Sequence, residues 1–144
     1  MTATIASAVP TTSTNTISRK ARNAGRAISG LVVAFLLFDS LSKIAGVQAV
    51  KDASAELGIH AHLVPVIGIV LLACVAFYVV PRTSILGAVL LTGYLGGAVT
   101  INMVNEKPLV STTLFAVYFG VAVWAGIWLR DSRVRAIMPV LIGK

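Results

Sequence analysis

Apolar residues in this chain come in long runs separated by short polar clusters. Neither the two-residue alternation of half-buried strands nor the narrow stripe of soluble helices dominates. The most regular run, Ser84 to Met103, holds no charged side chain. At about 1.5 Å rise per residue it covers roughly 30 Å, the thickness of a bilayer's hydrocarbon core. Pro81 disfavours helix at the residue before it, so the preceding run, Leu63 to Val80, is predicted to stop there. Pro65 falls in the first turn of that run, where a missing amide donor costs little. Thr83 or Ser84 is expected to cap the next helix through its side-chain oxygen. So short a connection predicts an antiparallel hairpin. After a polar turn, Asn105 to Pro108, the run Leu109 to Leu129 predicts one more spanning helix.

The first apolar run is different. Ala27 to Phe38 is short and meets Asp39, Ser40, Ser42 and Lys43. One reading is a membrane helix from Ala27 to Gly46 with a polar patch in its second half. The other is a cleaved signal peptide, with a basic region, an apolar core and Val47-Gln48-Ala49 as the cleavage site. The signal reading requires a long uncharged leader before the basic cluster, and the helix is preferred. Val47, Val50 and Leu57 share a helical face from which Lys51, Asp52 and Glu56 are absent, predicting a short interfacial helix that ends at Gly58. The expected fold is all-α: an integral membrane four-helix bundle, up-down-up-down, with this interfacial helix between helices 1 and 2. Residues 1–26 are expected to form a disordered, basic tail, 27–130 the transmembrane domain and 131–144 a second basic tail.

Composition agrees. Of 144 residues, 57% are hydrophobic and only 12% charged, against about 25% charged in soluble domains. The net charge of +7 lies outside the apolar runs, so it reads as a topology signal rather than a nucleic-acid surface. With four spans, Arg19, Lys20, Arg22, Arg26, Arg82, Arg130, Arg133, Arg135 and Lys144 share one side, and Lys43, Lys51 and Lys107 the other. Nine basic residues against three predict a protein of the cytoplasmic membrane with both termini in the cytoplasm. The single cysteine, Cys74, excludes an intrachain disulfide and any cysteine-rich metal site.

That topology gathers the polar residues in the outer third of the bundle and leaves the remainder nearly pure hydrocarbon and glycine. Asp39 and Lys43 are four apart, in the favourable order for a helical ion pair. An ionisable residue in a membrane span marks a functional site by default, and the alternative is a lysine that snorkels with a neutralising acid beside it. Thr100 and Asn102 approach from the third span, and these four are the candidate ligand-binding residues. Asn102 also suits a structural hydrogen bond between helices. His60 and His62 are two apart, lack the spacing of a helical metal pair, and read as surface residues. No catalytic constellation is complete and no cofactor or metal is evident.

Small residues recur along the third span. Ala88, Thr92, Gly96 and Thr100 form one stripe, with Gly93 and Gly97 beside it as GxxxG. Ala88, Thr92, Gly93, Gly96 and Gly97 are expected to pack a helix closely, in the same chain or in a second protomer as a homodimer.

The segments LLFDSLSK at 36–43, ELGIHAHLVPVIGIVLLACVAFYVVPRTSILGAVLLTGYLGGAV at 56–99 and FAVYFGVAVWAGIWLRD at 115–131 resemble the DoxX-like family of small bacterial membrane proteins. The resemblance implies a compact four-helix membrane bundle. The family name derives from a subunit associated with a thiosulfate:quinone oxidoreductase, while relatives of the wider group look like accessory or assembly factors. Asp39 and Lys43 match the family's acidic and lysine positions at the end of the first helix. Family members often carry a histidine soon after GGAV, where this chain has Asn102, so no proton-transfer role for it is carried over. The expected function is a non-catalytic binding or accessory module, with the lipid bilayer and a membrane or soluble protein as partners. The alternative is a membrane subunit of a quinone-linked oxidoreductase, with quinone held between Asp39, Lys43 and Asn102. A small-solute transporter is third, since four short helices without evident repeats suit it poorly.

Overall fold

The computed structural model describes residues 17–138. Among them no strand occurs. Helix α1 runs Arg19–Ile44, α2 Gln48–Ala55, α3 Val64–Val79, α4 Ser84–Val104, α5 Leu114–Arg130 and α6 Ser132–Ile137. A π-helical turn, Leu109–Thr113, leads into α5. Three segments are long and apolar enough to cross a membrane: Arg19–Ile44, Ser84–Val104 and Leu109–Arg130. Helix α3 is apolar throughout but has 16 residues, about 24 Å of helix. α1 packs mainly against α3 and α5, and α4 against the same two. Their outward faces expose Leu31, Phe38, Val66, Ile69, Val110 and Val121. An exterior this apolar belongs in lipid, and the chain is a membrane protein.

Several boundaries differ from the sequence reading. Helix α1 starts at Arg19 because the Ser18 hydroxyl accepts from the Ala21 amide at 3.2 Å, and because Gly25 and Ser29 still have a neighbouring helix to bury against. The basic residues Arg19, Lys20, Arg22 and Arg26 therefore ride on its first turns rather than in a tail. Residues 1–16 of the expected tail lie outside the described residues. The helix then continues without a break past Asp39 to Ile44. At the other end, α6 occupies part of the expected basic tail. Asp131 caps it by accepting from the Arg133 amide at 2.9 Å, and Val134 is buried. Residues 139–144 again lie outside the described residues.

Neither Thr83 nor Ser84 caps α4 with its side chain. The Thr83 hydroxyl donates to the Phe77 carbonyl at 2.9 Å, and the Ser84 hydroxyl to the Pro81 carbonyl at 3.3 Å. The last carbonyls of α3 have no amide above them, and the Thr83 hydroxyl serves one of them, while Ser84 bonds within the turn. A short helix stands at the expected place, as α2. It is bounded by Gly46 (φ +67°) and Gly58 (φ +73°), a backbone region that costs glycine little.

The two ends of the domain are built differently. At the end formed by the start of α1 and α4 and the close of α3 and α5, Tyr78 is fully buried. Its hydroxyl donates to the Val123 carbonyl at 2.9 Å, and its oxygen lies 3.0 Å from the Ser29 hydroxyl. With the tyrosine proton committed to Val123, Ser29 is the donor in the second bond. Arg130 lies over the Tyr78 ring, 5.2 Å from its centroid, and donates to the Tyr78 carbonyl at 3.3 Å. A Cβ at Gly126 would overlap the Ser29 hydroxyl, and one at Gly87 would overlap the backbone of Phe77 and Tyr78. Helix backbones meet here. At the opposite end, below α2, α1 and α3 still meet, since a Cβ at Gly68 would overlap the Ser40 carbonyl and the Lys43 Cβ, but nothing approaches Gly93 and Gly97 of α4.

Candidate functional site

Below α2 the helices line a partly open cavity of about 740 Å³. This is within the range of small-molecule sites. Its floor is α4. Tyr94, Ala98 and Asn102 follow one another at four-residue spacing, with Gly93, Gly97 and Ile101 as the neighbouring row, and all six line the cavity. Nothing lies within 4 Å of where a Cβ would stand on Gly93 or Gly97. The missing side chains are thus part of the hollow. Helix α1 contributes Phe35, Asp39 and Lys43, again four apart. From α5 come Phe115 and Phe119, which cluster with Phe35 at ring-centroid distances of 4.6 to 5.5 Å. The π-helical turn places Thr112 on the wall, and such turns recur at functional sites.

The roof is α2 and its flanks: Val50, Ala53, Ser54 and Leu57 face the cavity. Two contacts from the loop after α4 hold this roof. The Asn105 side-chain amide donates to the Leu57 carbonyl at 3.3 Å. Lys107 pairs with Glu56 at 2.8 Å. That bond, and the charge behind it, hold the Glu56 carboxyl below its usual pKa.

The polar groups sit on a mainly apolar wall. Lys43 donates to Asp39 at 2.5 Å, with the lysine side chain 17% and the acid 33% exposed. The spacing of the two residues predicts this pair, and the structure adds that it borders the cavity. Asn102 is only 8% exposed, and its Oδ1 has no hydrogen-bond partner among the described residues. The expected structural bond from Asn102 to another helix is not formed. Asn105 instead makes the long-range bond, to the Leu57 carbonyl. A buried amide oxygen without a partner costs on the order of 1–3 kcal/mol.

Thr100 does not join this group. Its hydroxyl donates to the Gly96 carbonyl of its own helix at 2.9 Å, and it is exposed. Two residues along a helix rotate the side chain by about 200°, so Thr100 and Asn102 belong to opposite faces. Tyr94, Thr112 and the phenylalanine cluster were not singled out from the sequence. Tyr94 was within reach there, because it lies eight residues before Asn102 on the same helical row.

The small residues of α4 divide in the same way. Ala88 is buried, and Thr92 accepts from the Trp124 indole at 2.9 Å. Gly93, Gly96 and Gly97 have no neighbour within 4 Å of a built Cβ. Within the chain, close helix approach falls on Gly25, Gly68, Gly87 and Gly126 instead. His60 and His62 have ring centroids 5.7 Å apart, and no group of three or more metal-ligating side chains occurs among the described residues. Cys74 is buried and free.

The model of the DoxX-like family matches residues 27–126, most of the chain and every wall of the cavity. No curated protein matches the chain, and no solved structure does.

Proposed function

The chain belongs to the DoxX-like family, and from that premise we propose that it is a non-catalytic membrane binding module, an accessory or assembly component, whose cavity below α2 receives a small amphipathic ligand. α3 serves as a fourth span in an up-down-up-down bundle, both termini face the cytoplasm, and the cavity occupies the outer third of the membrane. The observation that carries the binding role is the placement of Asp39, Lys43 and the unpartnered Asn102 on the wall of one apolar cavity. The apolar wall suits a hydrocarbon body, and the three polar side chains suit a head that exchanges hydrogen bonds with them.

The test compares organic extracts of the purified wild type and of Gly97→Leu, which fills the cavity floor. The wild type should carry a bound species by mass spectrometry that the variant lacks at equal helicity. Identical extracts would remove the binding role. Reporter fusions at Lys144 and Lys107 test the topology and should report opposite sides of the membrane.

The phenylalanine cluster favours a second reading, a quinone-linked subunit, because Phe35, Phe115 and Phe119 offer ring faces beside the Asp39–Lys43 pair. Decylubiquinone is the probe. Under this reading its binding should quench the intrinsic fluorescence of the wild type and fail to do so in Asp39→Asn.

A further inference from the structure

The other face of α4 borders a second hollow, a groove of about 600 Å³ between α4, α5 and α6. Its wall includes Gly96, Val99, Gly120, Val121, Trp124 and Trp128. Nothing lies within 4 Å of a Cβ built on Gly96, and only the Leu95 Cδ1, at 3.9 Å, approaches one on Gly120. Two absent side chains therefore make the slot. Both indoles are fixed by hydrogen bonds, Trp124 donating to Thr92 and Trp128 to the Met138 carbonyl. From Ala116 to Trp128 the groove follows α5 for about 18 Å. One leaflet's acyl layer is about half of a 30 Å core, so the lengths agree.

The wall itself carries no charged residue, but at its Trp128 end two arginines of α6 stand next to it. The Arg135 guanidinium lies over the Trp128 ring, 4.4 Å from its centroid, and its Nε donates to the Trp128 carbonyl at 2.9 Å. Among the described residues nothing takes its two terminal nitrogens. Arg133 is 73% exposed. Asp131, the acid nearby, accepts from the Arg133 amide and lies 4.0 Å from the Arg133 Nε.

We propose that this groove binds one anionic phospholipid. An acyl chain lies in the slot over Gly96 and Gly120, and the phosphate is held by Arg135 with Arg133. A guanidinium offers a phosphate paired donors in a planar fork. The indole that Arg135 covers forms the wall where headgroup gives way to chain, the level at which tryptophan is enriched. Charge favours a lipid over a second copy. A two-fold partner in the same membrane would place its own Arg133 and Arg135 at the same depth, and the acid available to offset them is already engaged by Arg133.

The test titrates the detergent-solubilised full chain with palmitoyl-oleoyl phosphatidylglycerol and, separately, with the phosphatidylcholine of the same chains, and counts retained lipid by native mass spectrometry. One phosphatidylglycerol should be retained, at least tenfold tighter than phosphatidylcholine. Arg135→Gln should reduce that preference to within twofold. Gly120→Leu should abolish retention of both lipids at unchanged helicity, and Gly96→Leu fills the slot from the other wall where the first variant fails to fold. Lys51→Ala, which removes a basic residue that lines neither hollow, should leave retention intact. Equal retention of the two lipids by the wild type, or undiminished retention by a folded slot-filling variant, overturns the proposal. A wild-type dimer that the filling variants split would give the groove to a second copy and overturn it as well.

Discussion

At the Tyr78 end of α4, glycine brings helix backbones together; at its α2 end, glycine keeps side chains out of a space the helices leave open. Gly126 and Gly87 abut Ser29, Phe77 and Tyr78 so closely that a methyl group would overlap them. Gly93 and Gly97, on the same α4 as Gly87, meet nothing. The residue type is the same, and what differs is the partner. One end has a large buried tyrosine whose hydroxyl is satisfied by Ser29 and by the Val123 carbonyl. The other has an amide oxygen with no partner and a 740 Å³ cavity. In lipid, close packing and interhelical hydrogen bonds hold helices together. The Tyr78 end has both; at the α2 end α1 and α3 keep a close contact at Gly68, and the α4 side is left open.

The sharpest break of this comparison is a pair of substitutions on one helix. Gly87→Val should cost about 3 kcal/mol, the upper part of the usual overpacking range, because its neighbours are backbone atoms that cannot rotate away. Gly97→Ala should stay within about 0.5 kcal/mol of wild type while reducing cavity occupancy. Thermal unfolding in detergent measures both, and equal losses would mean that the two ends are packed alike.

Removing one member of the ion pair comes next. An exposed pair is worth about 0–1 kcal/mol, and breaking a buried one costs about 3–5 kcal/mol. With Lys43 17% and Asp39 33% exposed, Asp39→Asn should fall between these limits, near 2 kcal/mol. Asp39→Asn with Lys43→Met should recover most of that stability without restoring ligand. A double variant as unstable as the single would show that the pair does not act as a unit.

Tyr78→Phe probes the packed end. It removes a donor from the Val123 carbonyl and an acceptor from Ser29. Interhelical hydrogen bonds in membranes average about 0.6 kcal/mol, so a loss near 1 kcal/mol is expected. Ligand content should not change, because Tyr78 does not line the cavity.

The smallest effect concerns the roof. Lys107 holds the Glu56 carboxyl below the usual carboxylate pKa. A depressed carboxylate stabilises the fold above its unfolded pKa, and that contribution fades as pH falls through the lowered value. Amide exchange in α2 should therefore accelerate, relative to the intrinsic rate, only below the ordinary carboxylate range. Lys107→Ala should show the faster exchange already at neutral pH. A variant indistinguishable from wild type at neutral pH would leave Asn105 as the effective tether.

Run length and charge made the membrane class, the positions of the apolar helices and the Asp39–Lys43 pair legible in the sequence. These follow from the 1.5 Å rise and from i,i+4 neighbours on one helix, which are properties of a single element. Proline at 81 and glycine at 58 marked element ends for the same reason. Partner identity is another matter. Small residues at 93, 96 and 97 and at 87 look alike in a string of letters, yet only at 87 does another backbone arrive. Thr83 looked like a cap and instead serves the carbonyls of the helix before it. Asn102 and Thr100 looked like one polar cluster, and helix rotation sent them to different faces. Helix periodicity fixes which residues share a row. Which row meets a tyrosine, a cavity or lipid depends on the other helices and where they pack, and only the tertiary structure decided that.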